Sequence, residues 1–405
     1  MRKKKILCDA KAFCFGPVSK LLMICEHLKE KYELIFLVSG TSKILSNDGS
    51  ADRIIECNTE DENELKKNEI EFRKADLFIN IMNPVSAKFA SKIGIPQIQI
   101  DSLFWMWDDI SKEVLDSDIY FIQNFEGVEK QLNKFKGKIK NPVIIGPIIK
   151  DPLGDIKEKN KLLINLGGME SAFIKVGVNT QYPFVISGIL DKMFSRNIDF
   201  DEIIFAGNKE VLEKIKLKFP KSKIKFKFFD HNSFLKEIKE AKLILTSPGL
   251  TATFEAFNTG TPVFFLPPQN YSQYWNLDNF IQKGIAKYAI NWNKIYPEFN
   301  ILRNEEQKKG VEKILSCIQR FEKDEEAWLK IENSIKSVIN TSEYELKDIA
   351  KRQKNYIESL GGNGTKKIVE DIGRFLDCEH DAMKQPEKDT IGGKNESIRK
   401  TKKNN

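Results

Sequence analysis

The sequence predicts an α/β protein with two doubly wound, mostly parallel sheets in tandem and helices at the C-terminal end. Three observations carry this. Short apolar, β-branched runs alternate with helical-period segments from residue 5 to residue 266, the pattern of buried parallel strands and their crossover helices. A Pro- and Gly-bearing connector, GPIIKDPLGDIKEKNK, interrupts the alternation once. From about Asn304 to Leu376 the period is helical throughout.

In the first half the expected strands are Ile6 to Cys8, Leu34 to Val38, Ile54 to Glu56, Leu77 to Ile81, Gln97 to Ile100, Ile119 to Ile122 and Val143 to Ile145. They define an N-terminal domain, 1–150, and a linker, 151–160. The pattern restarts at Leu162 to Leu166 and continues through Ile203 to Ala206, Ile224 to Phe228, Lys242 to Leu245 and Val263 to Leu266, giving a second domain, 161–303. Helices over 304–380 follow. The tail 386–405 is Lys, Asn, Gly and Ser without apolar anchors and is expected to be disordered.

With 405 residues, 41% of them apolar, the chain has the length and composition of two globular domains. Its basic start has only a short apolar run before Asp9, so it reads as a first strand rather than a secretion signal, and no stretch is long enough to span a membrane. Six cysteines and three histidines show no metal-ligand spacing, which fits a reduced, cytoplasmic compartment and predicts no metal. The formal charge of +7 is dispersed, so no nucleic-acid footprint is expected.

The most informative stretch is TSPGLTATFEAFNTGTPVFFLPPQNYSQYWN, Thr246 to Asn276. Ser247 occupies the position of a helix N-cap, with Pro248 at the first helical position, leaving the amides of Gly249, Leu250 and Thr251 without intrahelical partners. Free amides at the positive end of a helix bind anions, so this turn is a candidate diphosphate cradle. Glu255, four residues beyond Thr251, shares the cradle's helix face and leans toward it, where a carboxylate can accept two ribose hydroxyls. Gln269, Asn270, Ser272, Gln273 and Asn276 offer carboxamide and hydroxyl groups that suit a pyranose.

These residues resemble the donor-binding signature of GT-B glycosyltransferases, above all the family that adds N-acetylglucosamine to the lipid precursor of peptidoglycan. Ser247 with Gly249, then Glu255, then Gln273 to Asn276 match its serine- and glycine-bearing turn, its glutamate helix and its Gln-Tyr-Trp-Asn sequence. The resemblance implies a UDP-sugar co-substrate, the diphosphate on the Gly249 turn, the ribose on Glu255 and the sugar on Gln273. It also implies an acceptor on the N-terminal domain, inversion at the anomeric carbon, and terminal helices that cross back to the N-terminal domain. Gly168 in NLGGMES borders the cleft in such enzymes, and His231 lies where the family seats the uracil ring, as a base contact or a solvated loop residue.

The loop after the first strand turns at Gly16, the N-domain position nearest the cleft and a candidate acceptor contact. Families of this architecture often carry a catalytic histidine there, and this chain does not; His27 lies well inside the following helix. Asp9 and Asp101, each at the end of an expected strand, are the candidate general bases, and the alternative for each is a helix cap or turn aspartate. Trp105 and Trp107 in DSLFWMW are candidates to stack on a planar acceptor, or are core. Asp108 and Asp109 look like a metal-binding pair, but their N-domain place argues against that role.

A closer resemblance, carried by FGPVSKLL, DSLFWMW, Gly146-Pro147 and the Ser247 to Gln273 segment, is to cytosylglucuronate synthases, which implies glucuronate transfer from its UDP ester to cytosine or hydroxymethylcytosine. Domain closure would exclude water from the donor. Alternatives are transfer to a lipid or another small acceptor, with Lys394, Arg399, Lys400, Lys402 and Lys403 touching an anionic membrane, a UDP-N-acetylglucosamine 2-epimerase, and a non-catalytic nucleotide-sugar-binding protein. The sequence fixes no oligomeric state.

Overall fold

The computed structural model describes residues 2–384 apart from 14, 48, 152, 171–173, 196–198 and 304. The basic tail and Ser171 therefore lie outside the described residues. The chain up to Val369 packs as one compact unit, and that from Glu370, which includes the end of the last helix, is a second.

The first unit holds two sheets. One is formed by β1 (Lys5–Ala10), β2 (Glu33–Val38), β3 (Arg53–Glu56), β4 (Leu77–Ile81), β5 (Gln97–Asp101), β6 (Ile119–Gln123) and β7 (Pro142–Ile145), in the order β3-β2-β1-β4-β5-β6-β7. The other is formed by β8 (Lys159–Asn165), β9 (Glu202–Ala206), β10 (Lys225–Lys227), β11 (Ala241–Thr246) and β12 (Val263–Phe265), in the order β10-β9-β8-β11-β12. All pairings are parallel. Strands β4, β5 and β6 are buried along their whole length; β4 and β6 read as nearly continuous apolar runs, whereas β5, QIQID, alternates isoleucines with buried polar residues.

In each sheet the strand order reverses once, between β1 and β4 and between β8 and β11. Helices leaving neighbouring strands there diverge to opposite faces and open a crevice at the carboxyl ends, the usual ligand position in such sheets. Four helices shape it: α1 (Gly16–Leu28) after β1, α2 (His231–Glu240) after β10, α3 (Leu250–Thr259) after β11 and α4 (Tyr271–Gln282) after β12. Helix α3 ends on Gly260 at φ +75°, the left-handed conformation that costs a glycine least.

The two halves share apolar packing. Trp105 and Phe125 from the first half continue into Phe254 and Phe280 of the second, with Phe125 centroids 6.1 Å from Phe254 and 5.9 Å from Phe280. Helices Gln307–Phe321 and Glu325–Ile339 pack on Tyr182–Phe194, on the second sheet's side. The chain returns to the first sheet at residues 360–365. There Asn124 Nδ2 donates to Leu360 O at 3.1 Å, and Gly364 N to Pro147 O at 2.8 Å. Gly146 is pressed so closely on this return that a Cβ would stand 2.2 Å from Gly362 O.

Strand β12 is an edge of its sheet, and a side chain covers it. Gln353, fully buried on the helix Glu343–Ser359, accepts from Val263 N at 2.9 Å and donates to Val263 O at 2.7 Å. Its carboxamide thus pairs with the strand as a peptide group would.

Candidate functional site

The loops at the carboxyl ends of both sheets enclose a cavity of about 710 Å³. Phe13, Phe15 and Gly16 enter from the loop after β1, Met82 follows β4, and Ser102 and Leu103 follow β5. The second half contributes Asn165 to Met169, Phe228 to Asn232, Ser247 to Ala252 without Pro248, Glu255, and Gln269 to Gln273 without Tyr271.

The cradle differs from the sequence expectation in its cap. Gly249, not Ser247, is the N-cap of α3, and no side chain caps the helix. Ser247 is held two residues upstream, its N–H donating to Asn165 O at 2.9 Å and its hydroxyl accepting from Gln269 Nε2 at 2.6 Å. Gly249 N is also occupied, donating to Ser247 O at 2.7 Å. The first intrahelical bond runs from Thr253 N to Gly249 O, so the amides ahead of it belong to Leu250, Thr251 and Ala252, all on the cavity wall. The register of the free amides is shifted by one residue from the sequence expectation.

Across from these amides stands Lys20. Its ammonium donates to Thr251 Oγ1 at 2.5 Å, linking α1 of the first half to α3 of the second. The residue is 2% exposed, and burial lowers its pKa to about 8 against the opposing pull of Glu255. Sequence reading missed it. The available signal was a lysine four residues beyond Gly16, embedded in the apolar stripe of α1 where a solvated lysine is not expected.

Glu255, 3% exposed, meets His231 at 2.6 Å between Oε1 and Nε2. Burial disfavours the imidazolium, but the charge and hydrogen bond of Glu255 outweigh it and hold the His231 pKa above its ordinary value. Asp230, also on the wall, is the N-cap of α2: its carboxylate accepts from Ser233 Oγ at 2.6 Å and Ser233 N at 2.9 Å, which lowers its pKa. Lys150 pairs with Glu26 of α1 and donates to Asn232 Oδ1 at 2.5 Å, a second link between the halves.

Much of the polar loop holds itself together. Gln269 Nε2 donates to Leu166 O as well as to Ser247, and Asn270 caps α4 by accepting from Gln273 N at 2.9 Å. Gln273 Oε1 accepts from Gln269 N at 2.8 Å, while its Nε2 faces the Gly249 turn, 3.8 Å from where a Cβ on that glycine would lie. Asn276 Nδ2 holds the same turn by donating to Pro248 O at 2.9 Å. Two methionines on opposite sides of the cavity, Met82 and Met169, hold φ of 62° and 58°, strained for side-chain-bearing residues.

All ten residues assigned to the donor line this cavity: Gly168, His231, Ser247, Gly249, Leu250, Thr251, Glu255, Gln269, Asn270 and Gln273; so does Gly16. Asp9, Asp101, Trp105 and Trp107 do not. The Asp9 carboxylate accepts from Thr59 Oγ1 at 2.9 Å, Asn83 Nδ2 at 2.8 Å and Ser86 Oγ, and burial raises its pKa to about 6 against these bonds. Asp101 accepts from Leu103 N, Trp107 Nε1 and Tyr120 OH at 2.7, 2.7 and 2.9 Å, fixing the turn after β5. Trp105 is buried against Phe125, and Arg303 lies 5.7 Å from its ring centroid and 5.8 Å from that of Trp275. None of these four residues lines the cavity, and their contacts match the structural alternatives rather than the base and stacking roles.

Among the described residues no group of three or more His, Cys, Asp or Glu side chains is arranged to hold a metal ion, and no helix is long and apolar enough to cross a membrane.

No protein-family model matches the chain, and no curated protein matches it. Solved structures do. UGT2 from Phytolacca americana, complexed with UDP-2fluoro-glucose and pterostilbene, superposes with a TM-score of 0.54 at 12% identity, over 92% of this chain and 100% of that one. A UDP-glucosyltransferase from Polygonum tinctorium capable of glucosylating indoxyl, in complex with 3,4-dichloroaniline, gives 0.57 at 11%, over 93% and 99%. MnaA from S. aureus, in a UDP co-structure, gives 0.51 at 14%, over 88% and 96%. The architecture is GT-B: two Rossmann-like domains and C-terminal helices.

Proposed function

We propose that this chain is a glycosyltransferase that moves a sugar from a UDP-sugar to a small acceptor, with inversion at the anomeric carbon. The observation that carries the reading is the convergence on one cavity wall of the α3 amides, Glu255 beside His231, and Gln273 Nε2. In this reading the diphosphate sits on the amides of Leu250, Thr251 and Ala252, the ribose on Glu255, the uracil near His231 and the sugar by Gln273. Gly16 and the apolar wall of Phe13, Phe15, Met82 and Leu103 would take the acceptor. That UGT2 was solved with UDP-2fluoro-glucose and pterostilbene, and MnaA with UDP, supports a fold able to take a UDP-sugar and a small acceptor.

The acceptor atom attacks C1 of the sugar as the bond from C1 to the diphosphate oxygen breaks, and its proton passes to solvent. Catalysis then rests on holding acceptor and donor in line and on the α3 amides stabilising the charge on departing UDP. No metal is required by this scheme.

The finer reading is glucuronate transfer to cytosine or hydroxymethylcytosine, supported by the resemblance of FGPVSKLL, DSLFWMW and the Ser247 to Gln273 segment. Trp105 and Trp107 lend it no support, because they stand outside the cavity. Mass spectrometry of reactions pairing several UDP-sugars with cytosine, small alcohols and lipid acceptors tests both levels. A glycosylated acceptor with matching UDP release is the expected result. Sugar isomerisation without acceptor, or UDP-sugar binding without turnover on any acceptor, would overturn it, and transfer to other acceptors alone would discard the finer reading.

A further inference from the structure

We propose that Lys20 is the cation that meets the donor's diphosphate, supplied to a nucleotide bound on the second half by the first helix of the other half. The inference rests on the UDP-sugar reading of the cavity and adds a residue to it. Helix α3, ten residues long, presents its unbonded first-turn amides to the cavity, and the Lys20 side chain stands against that same turn. Among the described residues its one hydrogen-bond partner is the neutral Thr251 hydroxyl, and it makes no ion pair. A lysine 2% exposed with no carboxylate in contact has only the more distant charge of Glu255 to offset its burial.

Such an arrangement is costly for folding and needs a reason outside the apo protein. The other buried lysine of the first unit shows the usual solution. Lys161, equally buried, sits 2.7 Å from both Glu237 and Glu240. Lys20 lacks that pairing and instead faces the place where two phosphates would arrive. Ligand anion would complete it, adding a charge-assisted contact to the neutral amide contacts of α3.

The position also assigns its part in the transfer. As the bond between C1 and the β-phosphate oxygen breaks, the electron pair stays on that oxygen and the diphosphate gains charge. Lys20 keeps its proton and stabilises the departing UDP, in a site that carries no metal ligand set among the described residues. Because α1 belongs to the half that would hold the acceptor, the contact also joins donor occupancy to the geometry of the acceptor wall.

The test compares UDP with uridine, which lacks the diphosphate, by calorimetry on the full chain. Lys20→Met is expected to weaken UDP roughly 10- to 100-fold, the effect of losing a hydrogen bond to a charged group, and to change uridine less than about twofold. The ligand-free variant is expected to melt no lower than wild type, since an unpaired buried charge has been removed. Lys20→Gln repeats the test should the methionine variant not fold. UDP affinity unchanged, or UDP and uridine weakened by the same factor, overturns the proposal. Failure of the wild type to bind UDP at all is a different result: it removes the UDP-sugar reading and this inference with it.

Discussion

His231, the first residue of α2, and Glu255, in the middle of α3, meet at 2.6 Å on the wall of the cavity. The pair fixes one carboxylate oxygen of Glu255 before any ligand is present. Glu255→Ala is expected to weaken UDP binding by about 1–3 kcal/mol, as for lost hydrogen bonds to a charged group, measured by calorimetry. Unchanged affinity would remove Glu255 from the ribose.

The same pair gives a pH signature. The folded-state pKa of His231 is raised, so its contribution to stability is fully present below its unfolded value of about 6.5 and is lost as pH rises through the higher folded value. Wild type should therefore exceed His231→Asn in stability by about 1–2 kcal/mol near pH 6, an amount set by a charge-assisted hydrogen bond, and by less near pH 9. Urea denaturation at the two values checks this; an equal gap at both would contradict it.

Asp9→Asn and Asp101→Asn separate structural from catalytic aspartates. Both carboxylates are consumed by hydrogen bonds within the first half and neither lines the cavity. Turnover per folded molecule should stay within about threefold of wild type, whereas loss of a general base costs about 10²–10⁴. A drop of that size in either variant would restore it to the reaction.

Arg303→Ala tests the junction of the halves. The guanidinium lies between the rings of Trp105 in the first half and Trp275 on α4 in the second. Its removal should lower stability by about 0.5–1 kcal/mol, the worth of a cation–π contact made by an exposed guanidinium, as read by thermal melting. Unaltered melting would mean that the apolar contacts around Phe125 hold the halves without it.

Strands were legible where burial on both faces leaves a nearly unbroken apolar run, as at Leu77–Ile81, whose one polar residue is Asn80 and where sequence and structure agree at both ends. The glycine turn at the start of α3 was legible because it is local: strand, glycine and helix are contiguous. Its register was not, since a serine beside Pro248 has the chemistry of a cap, and only the bonds of Ser247 to Asn165 and Gln269 show that it is engaged elsewhere. Trp105 and Trp107 stayed open between core and ligand because aromatic residues serve both, and the choice depends on what surrounds them. Lys20 lies 231 residues from Thr251, so nothing local announces their contact.

The carboxamide of Gln353, standing in for a missing strand beside Val263, sets how the molecule can be divided. A fragment cut at residue 303 would keep the whole second sheet yet strip this cover from Val263–Phe265, leaving a bare apolar border with open peptide groups. Such a border recruits other copies of itself. The second half is therefore expected to self-associate when produced alone, with the helices beyond residue 303 acting as its solubilising sheath.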